Sequence, residues 1–223
     1  NMPTEIAIQK LKAFAPDMVV YQATTPSIDA DIESARMCKE ALGGLHVMIG
    51  PHVTAEPEDT LRNANGALDG VAIAEYDYTI RDLADGVLIK NCAGLAWMDG
   101  SQYVCNPSRP YIENLDELAF PAWKHVDIND YHDFGKLFPF LTLLSGRGCR
   151  AKCTFCQLPQ VMNGHSYRTR SVDNVCDEIE YDKKLFPNLQ EIMFEDDTLT
   201  MRSSQDRLVE LCEAMIRRNL NIS

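Results

Sequence analysis

The sequence lacks an excess of positive charge, a long apolar run and any internal repeat, and each absence narrows what the chain does. Its 21 Lys and Arg stand against 33 Asp and Glu, a formal net charge of −12 over 223 residues. That balance argues against a nucleic-acid backbone or an anionic membrane as the main partner. The longest apolar run, Leu137 to Leu144, is interrupted by Pro139 and is too short to cross a bilayer. No secretory signal opens the chain, so a cytoplasmic protein with reduced thiols is expected. No repeat or low-complexity tract interrupts the pattern of elements.

What is present is an ordinary apolar content and a clear alternation of elements, enough for a packed core. Up to about Gly86, helix and strand alternate, which predicts a parallel sheet covered by helices. Thr4–Phe14 reads as a helix capped by Thr4, Met18–Tyr21 as a strand, Asp29–Leu42 as a helix closed by Gly43-Gly44, and His46–Ile49 as a strand. Pro57 opens a helix to about Asn63, Val71–Ala74 is a short buried strand and Tyr78–Leu83 a short helix. A doubly wound domain normally starts with a central strand, so the leading helix suggests that such a strand and its loop precede the sequence. Val87 to Val104 reads as strand pairs turning at Asp99-Gly100.

Asn106 to Phe140 contains Pro107, Pro110, Pro121 and Pro139, too many prolines for regular elements. Residues 106–138 are therefore assigned as a linker between an α/β domain of residues 1–105 and a second domain of residues 139–223. In that second domain Leu141–Ser145 is a strand and Ser171–Phe186 a helix capped by Ser171, with Val172, Val175, Cys176 and Ile179 at helical spacing. Glu191–Phe194 is the next strand. Ser204–Arg218 is a helix with Leu208, Leu211, Cys212 and Met215 on one face, and a further strand is expected to start in Asn219–Ser223. Two βα units of this kind form the opening of a barrel.

Of the eight cysteines, Cys38, Cys176 and Cys212 fall on or beside helical apolar stripes, and Cys92 and Cys105 in strand-like stretches. There a thiol usually serves as a small buried hydrophobe. The other three crowd one loop after a strand, Cys149-Arg150-Ala151-Lys152-Cys153-Thr154-Phe155-Cys156. Soft donors at that spacing suit zinc or an iron–sulfur cluster. A closed zinc site needs a fourth ligand, for which His165 is the nearby candidate, whereas three cysteines leave one iron of a four-iron cluster open.

The C-x3-C-x2-C spacing, with an aromatic before the last cysteine, resembles the radical S-adenosylmethionine superfamily. The resemblance implies that Cys149, Cys153 and Cys156 ligate a [4Fe–4S] cluster whose fourth iron chelates S-adenosylmethionine, with Phe155 near the adenine. It further implies cleavage to a 5′-deoxyadenosyl radical, with electrons from a reductant such as flavodoxin or ferredoxin. Glu195 or Asp196, with Asp197 third, would accept a hydrogen bond from the methionine amino group. The alternative for these residues is a solvated acidic turn capping the next helix. Tyr167-Arg168-Thr169-Arg170 reads as a carboxylate or phosphate contact or, more simply, as solvated basic residues.

The order of an α/β domain, a proline-rich connector and the cysteine loop resembles the cobalamin-binding subclass of that superfamily. Three stretches carry it: Val20-Tyr21-Gln22-Ala23-Thr24-Thr25, Met48-Ile49-Gly50-Pro51-His52-Val53-Thr54, and Leu115-Asp116-Glu117-Leu118-Ala119-Phe120-Pro121-Ala122. The implied architecture is a Rossmann-like cobalamin-binding domain followed by part of a (β/α) TIM barrel. Thr24, Thr25 and Gly50 would then line the corrinoid at the carboxyl ends of the strands. The family's usual second glycine is Pro51 here, and the Asp-x-His-x-x-Gly loop that supplies an axial histidine in many cobalamin proteins is absent; His46 and His52 read as structural. The implied chemistry is methyl transfer to, or rearrangement or cyclisation of, a small-molecule substrate. The alternative from another class is a non-catalytic iron–sulfur or corrinoid-binding module.

Overall fold

The structure is a computed structural model that describes residues 3–200 and 204–222. The chain forms two compact units, Asn1–Tyr111 with Cys153–Gly164, and Ile112–Lys152 with His165–Ser223. The chain passes from the second unit to the first inside the cysteine loop, between Lys152 and Cys153.

The first unit runs α1 (Thr4–Phe14), β1 (Met18–Gln22), α2 (Ile28–Leu42), β2 (Leu45–Ile49), α3 (Pro51–Ala55), α4 (Pro57–Ala64), β3 (Gly70–Ala72), α5 (Asp77–Ala84), β4 (Leu95–Asp99) and β5 (Gln102–Cys105). The strands form one sheet in the order β1-β2-β3-β4-β5, parallel through β3 and antiparallel thereafter. Strand β2 is buried on both faces, as strands of a parallel sheet covered by helices are. Met48 packs with Ile32, Val53, Leu61 and Val71, while Val47 and Ile49 pack on the other side with Leu83 and Leu95.

Several expectations change here. The hairpin belongs to the main sheet, because Val71 pairs with Ala96 across β3 and β4. A 3-10 turn at Ile89–Asn91 takes the place of an expected strand. Pro3, not Thr4, holds the N-cap position of α1, and no side chain caps it. Pro51 occupies the first turn of the unforeseen α3, where a missing N–H is harmless. Cys38 and Cys92 are buried as expected, but Cys105 is exposed because β5 is an edge strand with one face to solvent.

In the second unit, β6 (Phe140–Leu143) pairs in parallel with β9 (Glu191–Phe194), and α6 (Val172–Leu185) and α7 (Gln205–Arg217) complete two βα units. A two-residue ladder of β7 (Gly146–Arg147) against β8 (Arg168–Thr169), invisible in the periodicity, falls within the first of these, between β6 and α6 in the chain. Leu141, Leu143, Val175, Ile179, Ile192, Leu211 and Ala214 make the core. The Ser171 hydroxyl caps α6 by accepting the Asn174 N–H at 3.1 Å. The connector carries only 3-10 turns, yet Ile128 from it is buried in this core.

Cys212 is exposed, contrary to expectation, because the buried stripe of α7 runs through Leu211 and Ala214, one position round the helix. Asn219–Ile222 form no strand, and Ser223 lies outside the described residues. Among the described residues no helix is long and apolar enough to cross a membrane.

Candidate cofactor loop and its strand ends

At the carboxyl end of β9 the three acidic residues have different surroundings. Glu195 is exposed. Asp196 turns inward and accepts the Ser145 N–H at 3.0 Å and the Ser145 hydroxyl at 2.9 Å, with the Tyr167 hydroxyl at 3.4 Å. Burial pushes its carboxyl above the ordinary range, although the Ser145 bonds and Arg207 oppose this. Asp197 accepts the Gly148 N–H at 3.0 Å. From α7, Arg207 donates to the Ser145 and Arg170 carbonyls, each at 3.0 Å. The acidic turn is thus neither fully solvated nor uniformly available to a ligand.

The basic stretch before α6 also points inward. Arg168 donates to the Ile112 carbonyl at 2.6 Å. Arg170 is ion-paired to Glu178, donates to Asn174 Oδ1 at 2.6 Å, and lies over the Phe120 ring at 5.5 Å. Solvated basic residues are therefore not what the fold makes of them. Neither the partner carbonyl of Ile112 nor the buried Glu178 has a local sequence signal.

All three loop cysteines are free thiols, Cys149 and Cys156 half-buried and Cys153 exposed, and Phe155 is 90% exposed. The Cys156 N–H donates to the Cys153 carbonyl at 3.2 Å. After this turn a π-helical turn, Pro159–Asn163, is seated in the first unit, and Gly164 meets Tyr111 so closely that a Cβ would stand 2.7 Å from its ring. Among the described residues, no three His, Cys, Asp or Glu side chains stand close enough to hold a metal. The donor set itself is soft, reduced and accessible, which fits an iron–sulfur cluster. His165, the candidate fourth zinc ligand, is exposed.

At the carboxyl ends of β1 and β2, Thr24 and Thr25 are exposed. Thr24 Oγ1 lies 3.0 Å from Ser27 Oγ, and Thr25 Oγ1 lies 3.1 Å from His52 Nδ1. Gly50 has φ +115°, and a Cβ there would stand 2.5 Å from the Ala23 carbonyl oxygen. Internal packing alone therefore demands this glycine. His46 is structural: Nε2 faces the Gly43 carbonyl at 2.8 Å and must donate, so Nδ1 accepts from the Tyr21 hydroxyl at 2.8 Å. Exposed hydroxyls and an imidazole at a parallel-sheet edge are compatible with a polar cofactor there.

No protein-family model matches the chain. Over 218 residues it is 30% identical to an uncharacterized methyltransferase of Pyrococcus horikoshii, covering 96% of this chain and 46% of that protein. Over 224 residues it is 28% identical to the anaerobic magnesium-protoporphyrin IX monomethyl ester cyclase of Cereibacter sphaeroides, covering 95% and 35%. Among solved structures, the apo form of OxsB, a cobalamin-dependent S-adenosylmethionine radical enzyme, matches with TM-score 0.74 and 18% identity over 96% of this chain and 30% of that one. TsrM, a radical S-adenosylmethionine methyltransferase from Kitasatospora setae, solved with cobalamin and a [4Fe–4S] cluster bound, matches with TM-score 0.69 and 14% identity over 95% and 43%.

The chain therefore has the fold found in cobalamin-dependent radical S-adenosylmethionine enzymes. The two curated relatives described above are named as a methyltransferase and a cyclase, and the chain spans less than half the length of each.

Proposed function

We propose that this chain is the cofactor-bearing part of a radical enzyme. In this reading Cys149, Cys153 and Cys156 ligate a [4Fe–4S] cluster that takes S-adenosylmethionine, and the first unit takes cobalamin at Thr24, Thr25 and Gly50. The observation that carries it is the loop of three free thiols at C-x3-C-x2-C spacing, which follows β6 of the parallel β6–β9 pair after the two-residue β7. Bound there, the cluster would supply the electron for reductive cleavage of the sulfonium C–S bond, with methionine leaving and a 5′-deoxyadenosyl radical formed, and cobalamin would supply methyl-transfer chemistry.

The chain's own residues hold and orient. Phe155 offers an exposed ring face to the adenine. Of the acidic residues, Glu195 is the better acceptor for the methionine amino group, since Ser145 and Tyr167 already engage Asp196. The partners proposed are a small-molecule substrate and a cytoplasmic reductant such as flavodoxin or ferredoxin. The likeness to a ring-forming cyclase supports a second reading, cyclisation of the substrate in place of methylation.

Anaerobic reconstitution followed by iron and sulfide analysis tests the cluster. The expected result is about four irons and four sulfides per chain, with visible absorbance that Cys153→Ala abolishes. Stoichiometric zinc without labile sulfide would refute it. Release of 5′-deoxyadenosine in the presence of a reductant separates an enzyme from a non-catalytic module, and titration with hydroxocobalamin tests the first unit.

A further inference from the structure

Asp196 and Asp197 take hold of opposite ends of one four-residue segment. Asp196 receives both the N–H and the hydroxyl of Ser145, and Asp197 receives the N–H of Gly148. Between these ends Gly146 is wedged so tightly that a Cβ would stand 2.7 Å from the Tyr167 ring and 2.9 Å from the Arg168 carbonyl oxygen. Gly148 itself sits at φ +89°, a conformation open to glycine, and its carbonyl carbon bonds to Cys149. Arg207 fixes the carbonyl of Ser145 from a third direction. The backbone is thus held at both ends of the approach to Cys149, whereas Cys149–Lys152 belong to no helix or strand.

We propose that Asp197, braced by Asp196, is a positioning residue that sets the turn at Gly148 and so presents the Cys149 thiol before any cofactor arrives; the identity of that cofactor as a cluster rests on the radical-enzyme reading. What the turn takes from Asp197 is an acceptor oxygen aimed at the Gly148 amide. An amide side chain supplies the same oxygen, so Asp197→Asn preserves the turn and Asp197→Ala abolishes it. Fixing one thiolate in advance removes part of the ordering cost of loading a cluster.

The test combines two measurements on the metal-free chain with one on the reconstituted chain. Hydrogen exchange at the Gly148 amide should be slow in the wild type and in Asp197→Asn, and about tenfold faster in Asp197→Ala. Alkylation of Cys149 by iodoacetamide should follow the same ranking. After anaerobic reconstitution, Asp197→Ala should retain several-fold less iron against a chelator and give a broadened electron paramagnetic resonance signal on reduction, with Asp197→Asn close to wild type. Rapid exchange at Gly148 in the wild type overturns the proposal without any variant. So does an Asp197→Ala chain with wild-type alkylation and iron retention, or an Asp197→Asn chain as impaired as Asp197→Ala. A wild type that takes up no iron overturns the radical-enzyme reading instead, while exchange and alkylation still decide the role of Asp197.

Discussion

In the first unit His46 is fully buried at the start of β2 with both ring nitrogens hydrogen-bonded, whereas in the second unit Asp182 is equally buried in α6 and neither carboxylate oxygen has a hydrogen-bond partner among the described residues. Glu178, one turn earlier on the same helix, faces Arg170, but Asp182 receives only part of that charge. Burial favours the uncharged form in both cases, and the two residues respond to pH with opposite sign. It depresses His46, so the first unit loses stability as pH falls below 6.5, where the unfolded chain gains a proton the fold refuses. It raises Asp182 from 3.8 to about 7, with the Glu178 charge adding to the effect, so the second unit loses stability as pH rises through that interval. A fold with paired polar groups on one side and an orphaned carboxyl on the other is weakest in different units at different pH.

The two tryptophans make this comparison measurable, because Trp97 lies in β4 and Trp123 in the second unit. The largest effect is expected at Asp182. The rise of its carboxyl from 3.8 to about 7 corresponds to about 4 kcal/mol at most. Asp182→Asn should therefore unfold like wild type near pH 4 and gain up to that amount by pH 8, read by urea unfolding through Trp123 in a Trp97→Phe background. Equal stability of the two proteins at pH 8 would show that Asp182 finds a partner in solution and would erase the contrast.

Next in size is Gly50→Ala, which forces a side chain to φ +115° and 2.5 Å from the Ala23 carbonyl. It should destabilise the first unit by about 2–3 kcal/mol, read through Trp97 with Trp123 replaced by Phe. If stability is unchanged while cobalamin binding is lost, the glycine serves the cofactor and not the packing. The smallest effect is expected for Tyr21→Phe, which leaves the buried His46 Nδ1 without its donor and should cost about 1–2 kcal/mol near neutral pH. A loss confined to low pH would mean that the hydroxyl tunes the imidazole without anchoring it.

Much of the secondary structure was legible in the chain. Ser171 before an apolar stripe marks the start of α6, and the span Glu191–Phe194 is the strand the periodicity predicts. Glycine and proline signals located the C-terminal end of α2 and the start of α4. The three-cysteine loop could be found by spacing alone. Illegible were the joining of β4 to β3, the two-residue ladder of β7 and β8, and the inward turn of Asp182, because polar residues at helical spacing read as a solvated face until the neighbouring elements are placed. Cys212 illustrates the same limit, since a rotation of one position about α7 separates a core thiol from an exposed one.

The sequence by itself determined the alternation of helices and strands, the caps and turns, and the donor set of the cysteine loop, all of which depend on residues within a few positions of one another. Only the tertiary structure decided which acidic residue at the end of β9 is engaged and which is exposed, since Asp196 meets Ser145 across 51 positions and Asp197 meets Gly148 across 49. It likewise decided that Gly50 yields to Ala23 and that Asp182 is buried with no hydrogen-bond partner among the described residues. Hydrogen bonding and burial are set by what the chain brings back from afar, and local patterning carries no record of that encounter.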